Sequence, residues 1–364
     1  MIRLLGFLIL TIYFLVIAVA ISEGPLISIQ SALLGLIGLV SMTLILSAIA
    51  KYINLVDEPD GDRKRHQGSI PLVGGIMLYI SLLYGTFVYG VNQFYTYILF
   101  SLLPILIMGI FDGLKGFKVP PTYRVIAQII ASWIVILTTD IYVKDLGNIF
   151  GNGSFELGNF AIPFTIFSIV GICNAFNMID GKDGLLGSVS LVIMSSLLIL
   201  LFLNGVIYHW AQILIASLLV YLAFNLSLFG QDRKIFLGDH GSTGLGHIIA
   251  WSLVYLSQEA QYISPVSALW FVLLPLTDAL LTFFRRLRSS RSVFSADRHH
   301  FHDILSDYGF SDRFILVIFS LITLASCSFA IFSNVSNLTE YNLFLGYVTM
   351  LVILLLLDNS RKKL

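Results

Sequence analysis

Five short polar motifs hold most of the chemistry this chain can offer. The first is Val56-Asp57-Glu58-Pro59, followed by Arg63-Lys64-Arg65-His66-Gln67-Gly68 and Ile70-Pro71-Leu72-Val73-Gly74-Gly75. The second is Gly109-Ile110-Phe111-Asp112-Gly113, and the third runs from Asn174 through Asn177, Asp180 and Asp183 to Gly184. The fourth is Phe236-Leu237-Gly238-Asp239-His240-Gly241-Ser242-Thr243, and the fifth Asp297-Arg298-His299-His300-Phe301-His302-Asp303. Taken singly, each has an ordinary reading: a helix cap, a solvated loop, or a glycine pair that lets helices approach. Together they supply one kind of chemistry. Hard cations such as Mg²⁺ take carboxylate and phosphate oxygens, Arg and His suit phosphates, and glycines let backbone amides approach them. The set reads as Mg²⁺-dependent handling of a pyrophosphate. Nothing in the spacing suggests a zinc or haem site, a GxGxxG turn or a Walker A loop, and no nucleic-acid partner is expected.

The elements that must carry these motifs are membrane helices. Of 364 residues, 57% are hydrophobic and 12% charged, and the mean hydropathy is +0.90. Soluble domains carry about a quarter charged residues, whereas apolar runs of about 20 residues cross a bilayer as helices. Such runs fall at 4–21, 31–50, 71–89, 96–111, 122–140, 161–178, 186–203, 210–228, 243–257, 265–284, 313–333 and 341–357. The expected fold is an all-α polytopic bundle of about 11–12 transmembrane helices in one membrane domain (31–364), preceded by an extra helix and outside loop (1–30). The stretch 4–21 has some features of a signal peptide but exceeds the usual apolar core of one, so it is read as a retained helix. Cys173 and Cys327 lie far apart and read as free thiols.

Orientation follows from the basic residues, which collect in cytoplasmic loops. With the amino terminus inside and the runs alternating, all of the 21 Lys and Arg except Lys144 fall on one side. The five motifs fall on that same side, each beside a span. Both termini and the polar site are therefore expected at the cytoplasmic face of the membrane.

The runs Val56 to Gly75, Asn174 to Gly187, Phe236 to Thr243, Pro275 to Arg288 and Phe294 to His302 resemble the polyprenyl-phosphate N-acetylhexosamine-1-phosphate transferases. The likeness extends from about residue 50 to the end and is nearest to the bacterial branch that uses undecaprenyl phosphate to start O-antigen and related polysaccharides. This resemblance implies a bundle of ten or eleven helices with a cytoplasmic cleft. It implies transfer of a sugar 1-phosphate from a UDP-N-acetylhexosamine to undecaprenyl phosphate, releasing UMP. Mg²⁺ is the implied cofactor, with Mn²⁺ as an alternative, and a homodimer is an open assembly. Position by position it implies Asp239 as metal ligand with Asn177 as a second, and Asp180 and Asp183 lining the nucleotide site. Asp112 takes the place of the group facing the lipid phosphate. His300 and His302, with Asp297 and Arg298 beside them, are implied near the sugar and diphosphate. Asp57, Arg63, Lys64, Arg65 and His66 match a loop near the active site, and Asn174 opens the third motif. Two departures stand out: Gly113 occupies the second position of an aspartate pair, and Asp303 replaces the last histidine of the histidine run.

The expected mechanism is attack by a lipid phosphate oxygen on the sugar-proximal phosphorus, with Asp112 positioning or deprotonating the nucleophile. Covalent attack by an aspartate is the rival route. Among donors, UDP-GlcNAc is expected, with UDP-GalNAc or a 6-deoxy-HexNAc donor as the alternative. A weakly active or inactive relative is a further reading because of Gly113. A secondary transporter is a distant one, since transporters place ionisable groups near the bilayer midplane and often repeat internally.

Overall fold

The structure is a computed structural model that describes residues 29–59, 68–89, 92–206, 208–289, 300–336 and 338–361. The apolar run 4–21 lies outside them. Each of the other eleven runs coincides with helix. In chain order these are α1 (Ile29–Tyr52), α2 (Gly74–Tyr89), α3 (Gln93–Ser101), α4 (Leu103–Gly113), α5 (Pro121–Thr139), α6 (Ala161–Ile179), α7 (Leu185–Leu203), α8 (His209–Asn225) and α9 (Asp239–Val254). They continue with α10 (Pro265–Phe271), α11 (Leu273–Arg288), the short α12 (Phe301–Asp307), α13 (Asp312–Val335) and α14 (Glu340–Arg361). A two-stranded hairpin pairs β1 (Val56–Asp57) with β2 (Ile70–Pro71).

Seven helical stretches among the described residues are long and apolar enough to cross a membrane, with α3 and α4 acting as one. The number is eight if the bent pair α10–α11 counts as a span. The helices α2 and α8 are apolar but shorter. The chain is thus an integral, multi-pass, all-α membrane protein.

The run 265–284 was expected as one helix, but it bends by 84° between α10 and α11. Pro275 is the reason. It has no N–H to give the Phe271 carbonyl four residues back and its ring crowds that carbonyl, so the helix is broken or kinked here. The freed Phe271 oxygen instead faces the Cys327 thiol at 3.8 Å. Both cysteines are buried free thiols, as expected.

Within the bundle α9 is central, buried along nearly all its length and packed on α6, α4 and α2. Missing side chains make this closeness possible. A Cβ on Gly246 would lie 2.8 Å from Cys173 Cα, and one on Gly75 would lie 2.4 Å from Gly241 Cα. By contrast only 11% of the α14 span is buried, against 78% for α7. The α14 surface is apolar and suited to lipid.

Candidate active site

Two turns and two helix ends deliver the carboxylates. Gly238 enters α9 with φ +75°, a conformation that strains other residues. Its neighbours Phe236 and Leu237 accept the N–H groups of Gly74 and Gly75 at 2.9 and 3.0 Å. The loop before α9 is thereby added to the β1–β2 hairpin, which carries Asp57. This fixes Asp239 at the amino end of α9, where the helix dipole favours a negative charge. At the carboxyl end of α4, Asp112 accepts the Val119 N–H at 2.9 Å. Arg124, in the first turn of α5, spans both: its guanidinium contacts Asp239 and lies 3.5 Å from Asp112.

The third motif forms the turn between α6 and α7. Asn225 clamps it, accepting the Gly184 N–H at 2.6 Å while donating to the Ile235 carbonyl at 2.9 Å. Asp183 pairs with Lys234 at 2.5 Å, and Lys182 with Asp312 at 2.5 Å. Burial, and then the charges of Asp239 and Asp183, push the Asp180 carboxyl up to about 7. Asn174 donates to Gln128 on α5 at 2.8 Å.

Histidines close the other side. The His302 ring comes so near Gly181 that a Cβ there would lie 2.3 Å from Nε2, which joins the histidine segment to the Asp180 turn. His300 and His302 stack with ring centroids 5.6 Å apart and planes at 6°. Burial outweighs the nearby carboxylates and lowers the His302 pKa below its ordinary value. Asp303, where the resemblance led to a histidine, accepts the His300 N–H at 3.3 Å and caps α12.

All of these groups line one cleft of about 2630 Å³: Asp57, Asp112, Asn174, Asn177, Asp180, Asp183, Asp239, His300 and His302. The expected convergence of the motifs is present. Arg63, Lys64, Arg65, His66, Asp297 and Arg298 lie outside the described residues. The cleft also contains cations that motif reading passed over as site residues, namely Lys115, Lys118, Arg124, Lys182, Lys234 and Arg286. Their signal was position, since each lies within a few residues of a motif carboxylate or a span end. Beyond the polar part the cleft continues between α5, α6 and α11 along Ile129, Phe164, Phe167, Leu276 and Phe283.

Gly113 lines the cleft too, but a Cβ there would meet the tips of Leu55 and Leu72 at 2.9 and 3.0 Å. An aspartate at this position would start from an apolar wall. Among the described residues no three His, Cys, Asp or Glu side chains lie close enough to cage a metal ion. Mg²⁺ is usually held by one or two carboxylates plus substrate phosphates, not by a cage of protein ligands. Asp239, Asp180 and Asn177 line the same cleft and offer oxygen donors of the kind a hard cation takes beside substrate phosphates.

Such a bundle, with a cleft polar at one end and apolar at the other, defines a membrane protein built to handle an amphiphile. Comparison with known proteins places it further. Residues 95–257 match the family described as glycosyl transferase family 4. An Escherichia coli (strain K12) protein named undecaprenyl-phosphate alpha-N-acetylglucosaminyl 1-phosphate transferase is 36% identical over 315 residues, 85% of this chain and 83% of its own. Proteins of the same name from Yersinia pestis and Haemophilus influenzae are 35% and 34% identical, covering 85% and 84% of this chain and 83% and 86% of theirs. The chain belongs to glycosyl transferase family 4.

Proposed function

We propose that the protein transfers N-acetylhexosamine 1-phosphate, with UDP-GlcNAc as donor, to undecaprenyl phosphate, releasing UMP. The observation that carries this reading is the single cleft in which carboxylates, cations and histidines meet an apolar arm. A lipid phosphate needs both ends of such a cleft: charge compensation for the head and hydrocarbon contact for the chain. The relatives' names, which specify this acceptor and sugar phosphate, support the same assignment.

The reaction is a displacement at phosphorus. A lipid phosphate oxygen forms a bond to the sugar-proximal phosphorus, and the bond from that phosphorus to the bridging oxygen breaks. UMP leaves with the bridging oxygen and its electron pair. Catalysis of this type is mostly positioning and charge neutralisation. Asp112 faces the incoming lipid phosphate, and Arg124 beside it supplies positive charge. Asp180 and Asp183 hold the nucleotide end, and His300 and His302 lie along the sugar diphosphate. Lys182, Lys234 and Arg286 offset the remaining charge on the phosphates. Asp239, assisted by Asn177, would hold Mg²⁺, which when bound neutralises charge on the diphosphate.

The Lys and Arg distribution supports a cytoplasmic orientation of the cleft in an inner membrane, where nucleotide sugars are available. The experiment incubates membranes containing the protein with undecaprenyl phosphate and a panel of radiolabelled UDP-N-acetylhexosamines, then resolves the lipids. A labelled lipid pyrophosphoryl sugar from UDP-GlcNAc supports the reading. Product from UDP-GalNAc or a 6-deoxy donor alone moves the donor assignment, and no lipid product from any donor rejects the function.

A further inference from the structure

His300 and His302 enter the cleft on α12, a helix of only seven residues that cannot hold them in place alone. Asp278, on α11 just beyond the 84° bend, supplies an anchor. It is 2% exposed, and His300 is 6% exposed. Both oxygens of Asp278 are used: Oδ2 lies 2.8 Å from His300 Nδ1, and Oδ1 accepts the Phe301 N–H at 2.8 Å. The Thr282 hydroxyl, one turn further along α11, lies 3.4 Å from the same imidazole nitrogen. A carboxylate buried on a membrane helix is costly. The hydrogen bonds of this one go to the histidine segment.

The chemistry of the pair fixes a tautomer. An ionised carboxylate only accepts hydrogen bonds, so the His300 nitrogen facing it must carry the proton. Nε2 is then the nitrogen left for the cleft that His300 lines. The second oxygen holds the backbone at the start of α12, and His302 is stacked on His300. One side chain therefore sets the rotation of one histidine and the entry of both.

We propose that Asp278 is a positioning residue for the transfer reaction. It keeps His300 protonated at Nδ1, directs Nε2 toward the reacting phosphates, and pins the histidine pair to α11. This rests on the transferase reading above. In that tautomer the Nε2 lone pair can take a proton from a lipid phosphate oxygen, and the resulting N–H can then bond a phosphate oxygen.

A double-mutant cycle tests it in the full-length protein. Asp278→Asn places an amide against His300 and removes the obligatory acceptor. We expect kcat to fall by about 10–100-fold, the range for partners that orient a functional imidazole, with little change in KM for the UDP-sugar. If Asp278 acts through His300, adding Asp278→Asn to His300→Ala costs nothing beyond His300→Ala alone. Independent, multiplying losses overturn the proposal, as does wild-type kcat in Asp278→Asn. Nitrogen NMR of histidine-labelled protein, with the His300 signal identified by its loss in His300→Ala, reads the tautomer without activity. A proton on Nδ1 is expected in the wild type, and a proton on Nε2 alone would reject the geometry. That spectrum decides the positioning claim even if no donor sugar yields product, a result that would reject the transferase reading instead.

Discussion

The two ends of α5 show what separates a working polar cluster from a structural one. The helix has 19 residues, so its ends lie about 28 Å apart. At the far end, Asp145 accepts the Gly147 N–H and the Ser154 hydroxyl, both at 2.8 Å. Gln258 accepts the N–H groups of Lys144 and Asp145 at 2.8 and 3.3 Å and donates to the Asp145 carbonyl at 3.1 Å. Glu340 accepts the Asn148 N–H at 2.5 Å. Bonds there are spent mainly on the backbone, and they shape a loop. At the Arg124 end, carboxylates pair with cations inside a cleft, and one carboxyl, Asp180, carries a pKa near neutrality. Polar groups of the same type thus have different purposes, and the partner decides which.

The largest expected effect comes from the carboxylate at the centre of the cleft. Asp239→Asn should lower transfer by at least about 100-fold, as removal of a principal electrostatic group does. Its melting temperature should stay near wild type. Wild-type turnover in this variant would put Asp239 with the structural group at the far end.

Arg124→Lys comes next. A lysine ammonium is a point charge and cannot span two carboxylates as a planar guanidinium does, so about a tenfold fall in kcat/KM is expected. Equal rates for Arg and Lys would show that the bridge between Asp112 and Asp239 has no part in turnover.

Asp180 sharpens the comparison through pH. Its folded pKa of about 7 stands above the ordinary value of 3.8, so the folded protein keeps a proton that the unfolded chain releases. The stability this gives is full below the ordinary value and is lost as pH rises through about 7. Asp180→Asn, neutral throughout, should flatten that decline. Thermal melts of both proteins between pH 5 and 8 read it directly, and parallel curves would contradict the shift.

The smallest effect on transfer belongs to the far end. Asp145→Ala should cost about 1–3 kcal/mol of stability by leaving loop donors without their acceptor. Transfer rates should remain unchanged, and a matching loss of activity would erase the contrast between the ends.

Much of this was legible in the sequence because membranes simplify the code. Apolar runs located the helices, and motif carboxylates located the cleft. What was hidden depended on partners distant in the chain. The bend at 265–284 was marked by Pro275, yet nothing local showed that the helix would turn instead of kinking slightly. Arg124 and Lys234 were counted as signs of orientation, and only folding placed them against Asp239 and Asp183. Asp278 lies inside a run that reads only as an apolar span, and folding alone sets it beside His300. Asp303 read as a lost histidine, whereas its carboxylate caps the helix that carries His302.

The most direct test of the central claim follows the phosphorus. Purified protein would be given undecaprenyl phosphate, Mg²⁺ and UDP-GlcNAc labelled in the phosphate next to the sugar. The wild type should place that label in the lipid and release unlabelled UMP, and Asp145→Ala should do the same, while Asp239→Asn leaves the label in the nucleotide. Label recovered in UDP with unlabelled sugar on the lipid, or full transfer by Asp239→Asn, would contradict a cleft in which two phosphates are joined.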